Sequence, residues 1–472
     1  MTAMTTAVTL PARPGLVVLR LLAAVSVPVA LALNYSVANR LTLSMVVVWG
    51  LAVFWWPVFV RVQYGLMLLA ATGLFLLSGF LIGWVSRADH MVPHGAAIAL
   101  GITYATYIGG VGALVWAGRM IGIHWVVFSY GMALAADALR DPSYHQNPWK
   151  FGFAVPVALM VLALVDWIGS TGAKILALGA LSGMCALHDY RSGLAMFAIA
   201  AIILIWQRLR RQAAREPSIV AVILGLLVIG GTIYYTVTRL LVSGLLGAGL
   251  QARSEAQVAA SGSLLLGGRP EWTVTIRLFK EKPWGFGFGT VPSPSDYELG
   301  REGFHSIHLL SQENYLKHYV FSGGLRLHSI VAELWAAAGP AGILLTLVIV
   351  WILVGSLATA LARRTATSVQ AYLSLLVLWN IGFSPVYSNF PQVVLGLAVA
   401  LAAAAGPARP RLRLPPDAGR MVDPGLGSLA ALTPTQPGDP PVTGAIDLSA
   451  DRSDTRVFPR PAEAGFAERS RR

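Results

Sequence analysis

Four histidines, His305, His308, His318 and His328, fall in or just beside one hydrophilic stretch of the chain, and imidazole is the side chain whose ordinary pKa suits a general base near neutrality. The same stretch carries Arg269 and Arg277. A third arginine, Arg191, stands in the very short polar segment His188-Asp189-Tyr190-Arg191-Ser192. A guanidinium is a planar fork that grips carboxylate or phosphate bidentately, so an arginine held in a compact turn suits an anionic substrate. A surface pair with Asp189 is the alternative reading of Arg191. Gly267-Gly268-Arg269-Pro270-Glu271-Trp272, followed by an amphipathic stretch with Arg277, Lys280 and Lys282, reads as a turn and then a helix. The glycines of Pro283-Trp284-Gly285-Phe286-Gly287-Phe288-Gly289-Thr290 permit close backbone approach or an anion-binding nest of amides, and a plain bent turn accounts for them equally well. Without a strand before it and a helix after it, this run is no dinucleotide fingerprint. The stretch has no His-Glu-x-x-His, no cysteine and no pair of histidines at four-residue spacing, so nothing in it supports a metal site.

The elements that must position these residues are membrane helices. Hydrophobic residues make up 56% of the 472 positions and charged ones 12%, with a mean hydropathy of +0.64, too apolar for an ordinary water-soluble enzyme. The single cysteine, Cys185, excludes a disulfide framework and multi-cysteine metal sites. The net charge of +13 is dispersed between apolar runs and does not form a basic stripe, which argues against nucleic acid. A bilayer-spanning helix takes roughly 20 apolar residues. Runs of about that length are predicted near 16–33, 43–60, 64–86, 95–117, 120–139, 151–168, 171–187, 192–206, 218–246, 338–361, 368–383 and 389–405. The expected fold class is therefore an all-α polytopic membrane protein of about 12 transmembrane helices, with one large extracytoplasmic loop between the ninth and tenth spans.

Cytoplasmic loops retain Lys and Arg, and the split here is about thirteen to about five if the N-terminus is inside. Both termini are then cytoplasmic. The expected organisation is a membrane region over 1–246, a large outer loop over 247–337, a second membrane region over 338–405 and a disordered, Pro-, Gly- and Arg-rich cytoplasmic tail over 406–472, whose Arg409, Arg411 and Arg413 would lie against anionic headgroups. Asp137, Arg239 and Glu333 sit near outer helix ends, where each could line a cavity. For Asn380, deep in a span, an interhelical hydrogen bond is the default expectation. For Arg20 and Lys174, near cytoplasmic ends, the default is snorkelling.

The nine spans, large loop and three further spans resemble the superfamily of O-antigen ligases and O-antigen polymerases, bacterial membrane glycosyltransferases of the GT-C type. Arg191 matches the family's arginine in the outer turn between the seventh and eighth spans. Gly268-Arg269 with Trp272, then Pro283 through Gly287, match its Gly-Arg-aromatic and Pro-x-Gly-x-Gly runs. His328, eleven residues before Gly339 and fourteen before Gly342, matches its loop-closing histidine, which singles it out from the other three. Two positions depart from the pattern: Ser329 stands where Asn is usual, and Ala337 where Glu is usual, with Glu333 one helical turn earlier as a substitute. The resemblance implies transfer of a glycan from an undecaprenyl-pyrophosphate carrier to an acceptor hydroxyl, on a lipid or a glycan, at the outer face of the bacterial plasma membrane. It implies His328 as the base, Arg191 and Arg269 on the pyrophosphate with Arg277 as a weaker third, supporting roles for Glu333, Gly339 and Gly342, and no metal or other cofactor. A repeat-unit polymerase on the same carrier is the alternative. A transporter or flippase of an anionic glycolipid fits less well, because buried charges in mid-span are scarce.

Overall fold

The computed structural model describes residues 14–38, 41–140, 146–210, 218–243, 251–252, 255, 269–307 and 313–404. All belong to the first of two units into which the chain divides, Met1–Arg409. The tail over 406–472, Gly267, Gly268 and His308 lie outside the described residues.

The apolar runs fold as helices: α1 Pro14–Leu33, α2 Leu43–Gly50, α3 Ala52–Phe59, α4 Gly65–Val85, α5 His94–Ile121, α6 Ile123–Ala138, α7 Ala154–Ile168, α8 Thr171–Leu187, α9 Arg191–Leu209 and α10 Ile219–Val242. The hydrophilic stretch contributes α11 Glu271–Glu281 and α12 Pro294–His305. After it come α13 Ile330–Ala338, α14 Pro340–Ala362, α15 Ser368–Phe383 and α16 Val386–Ala404. Among the described residues six helical stretches are long and apolar enough to cross a membrane, and four shorter apolar helices accompany them. The fold is thus that of an all-α membrane protein. Its departure from pure helix, among the described residues, is a small antiparallel pairing of β1 Ser36–Ala38 with β2 Leu41–Thr42. The run expected as one span over 43–60 is divided at Leu51, whose φ of −98° and ψ of 9° interrupt the helical register between α2 and α3.

A helix that is apolar all round belongs in an interior, and α5 is buried continuously from Thr106 to Ala117. It packs against α1, α2, α3, α4, α6 and α16. Several polar groups inside this bundle tie its helices together. Asp166 on α7 accepts the backbone N–H groups of Ser368 and Val369 at the start of α15, at 3.0 and 2.9 Å, and pairs with Lys174 at 3.0 Å. A carboxylate there satisfies orphan amides and opposes the helix dipole. Asn380 donates to Gln392 at 2.8 Å, joining α15 to α16.

The described part of the hydrophilic stretch has its own small core. Val274 and Leu278 of α11, Phe304 of α12, then Phe286, Leu316, Phe321 and Trp335 pack together. Ser293 and Asp296 form a capping box at the start of α12, with Pro294 in the first turn, where its missing N–H costs nothing. His90 is buried between two carboxylates, with Nδ1 2.7 Å from Asp89 and Nε2 2.9 Å from Asp296, so the α4–α5 connection is tied to that cap. The glycine run joins this core to the bundle. Phe288 inserts among Phe75, Phe80 and Tyr104 of α4 and α5. Phe286 and Gly287 donate their N–H groups to Ala336 O at 2.8 and 3.0 Å, and Phe288 donates to Gly79 O at 3.0 Å. Of the readings open from sequence, close backbone approach is the one these three amides satisfy: they face carbonyls of α13 and α4.

Candidate active site

His328 lies just before α13, whose N-cap is Ser329, the hydroxyl accepting Ala332 N–H at 3.5 Å and donating to Ile381 O at 3.0 Å. Two further bonds tie this region to the α15–α16 corner: Trp272 Nε1–H to Gly382 O at 3.0 Å, and Val386 N–H to Glu333 Oε2 at 2.9 Å. Glu333 Oε1 accepts His328 N–H at 3.1 Å. His328 thereby sits at φ +51°, a left-handed conformation that non-glycine residues rarely adopt and that structures retain mostly where surrounding contacts over-determine it.

The imidazole is 4% exposed and stacks on Tyr319, with ring centroids 4.0 Å apart and planes 4° apart. Its Nε2 lies 3.2 Å from Tyr319 O. A carbonyl only accepts, so Nε2 carries the proton, and the lone pair of the neutral ring is on Nδ1. Among the described residues no hydrogen bond engages that nitrogen. Burial pushes the His328 pKa below the ordinary value of 6.5; the Tyr319 carbonyl and Glu271 oppose the shift, and Arg269 and Arg326 reinforce it. The ring is therefore neutral at pH 7, the protonation state a base needs.

Beneath it, Glu271 is 2% exposed and accepts Tyr315 O–H at 2.6 Å on Oε1, while its buried Oε2 has no hydrogen-bond partner among the described residues. Burial and this bond raise the Tyr315 pKa far above its ordinary range. Arg269, immediately before α11, acts electrostatically on Tyr315, Tyr319 and His328 alike.

Glu333 faces a cavity of about 600 Å³ bounded by one face of α5, the glycine run, Gly323 to Arg326, and Val386 and Tyr387. Burial raises its pKa from 4.5 to about 7, against the two amides and Arg326, which favour the carboxylate. A carboxyl whose folded pKa is raised adds stability that is complete below its unfolded value and is lost as pH rises through the folded one. For Glu333 the window runs from about 4.5 to about 7. Glu333→Gln removes this titration, so the thermal midpoint of parent minus variant should fall between pH 5 and pH 8, by the equivalent of roughly 3 kcal/mol. A difference that is flat across that range would mean Glu333 does not titrate there.

Of the residues singled out from sequence, the structure joins His328 and Glu333 beside the α15–α16 corner and sets Arg269 within electrostatic reach of His328. Arg277 is half-exposed on α11 and 4.0 Å from Glu302. Arg191 begins α9 and lies 3.3 Å from Asp189; among the described residues neither arginine has a hydrogen bond or ion pair to His328. Gly339, with φ +59°, and Gly342 make the sharp α13–α14 junction, where a Cβ would come 2.1 Å from Trp284 O and 1.9 Å from Leu334 O. His305 and His318 are exposed. Sequence reasoning passed over Glu271, Tyr319, Arg326 and Tyr387. The signal available was position: two of them flank motifs already singled out, Glu271 after Arg269 and Arg326 before His328.

Residues 175–347 match the family model described as O-Antigen ligase. The matched segment, a little over a third of the chain, is similar to the O-antigen ligase family; it runs from within α8 to the first turns of α14 and includes Arg191, Arg269, Arg277, His328 and Glu333. No curated protein and no solved structure matches the chain. The family implies a glycosyltransferase-like membrane enzyme, of ligase or polymerase type, acting on lipid-linked glycans.

Proposed function

We propose that the protein is an O-antigen ligase-like glycosyltransferase that moves a glycan from an undecaprenyl-pyrophosphate carrier to an acceptor hydroxyl at the outer face of the plasma membrane. The observation that carries this reading is His328: a buried, neutral imidazole, oriented by the Tyr319 carbonyl so that Nδ1 holds the lone pair, within the segment that matches the ligase family. In the proposed reaction Nδ1 takes the proton of the acceptor hydroxyl. The oxygen attacks the anomeric carbon, the bond from that carbon to the phosphate oxygen breaks, and the pyrophosphate leaves with the electron pair. Arg269 is closest in effect to His328 and stabilises the leaving charge without a metal or other cofactor. Arg191 and Arg277 take part by exchanging Asp189 and Glu302 for phosphate. Twelve spans with both termini cytoplasmic, and the 247–337 loop between the ninth and tenth, put this site outside the membrane.

The test compares a strain lacking the protein with its parent. Carrier-linked glycan should accumulate and the surface glycan should disappear; unchanged levels of both would refute the proposal. In reconstituted membranes, transfer should survive a chelator, and loss of transfer that Mg²⁺ or Mn²⁺ restores would replace the arginine account with a metal one.

A further inference from the structure

The 600 Å³ cavity is amphipathic. Its wall along α5 follows helical spacing, Ala96, Ala99, Leu100, Thr103, Tyr104 and Tyr107, and so presents an apolar and aromatic face several turns long. At its rim the backbone turns through Gly323 and Gly324, at φ +71° and +150°, into Arg326. The Arg326 guanidinium lies 4.9 Å from the centroid of the Tyr387 ring. Among the described residues it has no carboxylate partner, whereas Arg191, Arg277 and Arg301 are paired with Asp189, Glu302 and Glu313. A cation over an aromatic face is positioned by the ring quadrupole with its N–H edges left free. The space beside it is open: a Cβ at Gly323 would meet an Arg326 Nη atom only at 4.0 Å, and one at Gly324 would meet nothing within 4 Å. Its backbone is fixed by Arg326 N–H to Val320 O at 2.8 Å, two residues before His328.

From these observations we infer that Arg326 is a further residue that binds the pyrophosphate of the donor, together with Arg269, with the apolar stem of the carrier lying along the α5 face of the cavity. The inference rests on the transferase reading above and adds to it a residue and a place. An anion on an apolar stem matches a cavity with one unpaired cation at its rim and tyrosines along its wall. The charge of Arg326 is felt at both Glu333 and His328, so a phosphate held there lies beside the proposed base. Negative charge grows on the pyrophosphate as the glycosidic bond breaks, and a bidentate guanidinium contact strengthens as it does so. A sugar carboxylate is the other anion a guanidinium could take, and the experiment separates the two.

The purified full-length protein in detergent is titrated with farnesyl pyrophosphate, farnesol, inorganic pyrophosphate and glucuronate, and binding is followed calorimetrically. The parent should bind farnesyl pyrophosphate more tightly than farnesol or inorganic pyrophosphate. Arg326→Met, which keeps the length of the stem and removes the charge, should weaken farnesyl pyrophosphate about tenfold to a hundredfold and leave farnesol unchanged. Arg326→Lys should fall between them. Arg301→Met should bind as the parent does, and equal thermal midpoints for parent and Arg326→Met confirm that folding is unaltered. If the parent prefers the pyrophosphate and Arg326→Met retains that preference, Arg326 is not the cation, and the transferase reading stands without it. If glucuronate binds in an Arg326-dependent way and pyrophosphate does not, the proposal fails in favour of an acidic sugar. If the parent shows no preference for pyrophosphate over farnesol, the lipid-pyrophosphate donor itself is refuted.

Discussion

Substitution of His328 should lower glycan transfer by about 10²–10⁴-fold while the protein remains folded and inserted. The choice of substitute matters, because the residue sits at φ +51° and its N–H is held by Glu333. Asparagine is among the residues that best tolerate that conformation and has no basic nitrogen, so His328→Asn isolates the chemistry from the backbone. His328→Ala should be equally inactive and somewhat less stable, since it also gives up the stack on Tyr319. Loss of a base should appear in turnover with donor affinity nearly intact, whereas Arg269→Lys should weaken donor binding as well. His305→Ala and His318→Ala, at exposed positions, serve as controls with parental rates. The pH profile gives a second readout. Protonation disables the base, and the His328 pKa is lowered from 6.5, so transfer should hold down to a pH below the ordinary histidine range and fall only beneath it. Near-parental transfer by His328→Asn would remove His328 from the mechanism.

Gly287→Ala should leave little or no folded protein. Gly287 has φ +85°, and a Cβ there would lie 2.0 Å from Gly83 N, 2.4 Å from Gly83 Cα and 2.7 Å from Ile82 C. All three are backbone atoms of α4, so no rotamer change relieves the contact; either α4 moves or the run lifts away. Lifting it breaks the bonds of Phe286 and Gly287 to Ala336 and of Phe288 to Gly79, and withdraws Phe288 from between Phe75 and Tyr104. The cost belongs with the rare substitutions beyond about 4 kcal/mol. Gly355→Ala is the matched control: Gly355 lies within α14 with nothing inside 4 Å of its virtual Cβ, and alanine favours a helix interior over glycine by roughly 0.5–1 kcal/mol. The yield of monodisperse protein in detergent and its thermal midpoint decide the matter. Parental values for Gly287→Ala would mean that the run does not seat against α4.

The apolar helices were readable because transfer from water to an apolar medium is a property each residue carries with it, nearly additive along a run. The runs predicted at 171–187 and 368–383 have the same limits as α8 and α15. The break at Leu51 was not readable, because hydropathy records composition and is blind to the hydrogen-bond register that fails there. Likewise, residue types together with the resemblance to the O-antigen ligase family were enough to single out His328, Arg269 and Glu333 before any contact was known. What those side chains face is another matter. The tautomer of His328 depends on the carbonyl of Tyr319, and the pKa of Glu333 on the amides of His328 and Val386. That the amides of Phe286, Gly287 and Phe288 meet carbonyls of α13 and α4 depends on Ala336 and Gly79, and whether Arg326 is free depends on which arginines find carboxylates. Gly287 and Gly83 touch across some two hundred residues of chain. The amino-acid sequence by itself determined that this protein is a bundle of membrane helices with one chemically equipped hydrophilic stretch, since burial and residue chemistry are local. Only the tertiary structure decided which cation faces the cavity and which glycines hold it together, since those follow from distances between segments that no periodicity or motif encodes.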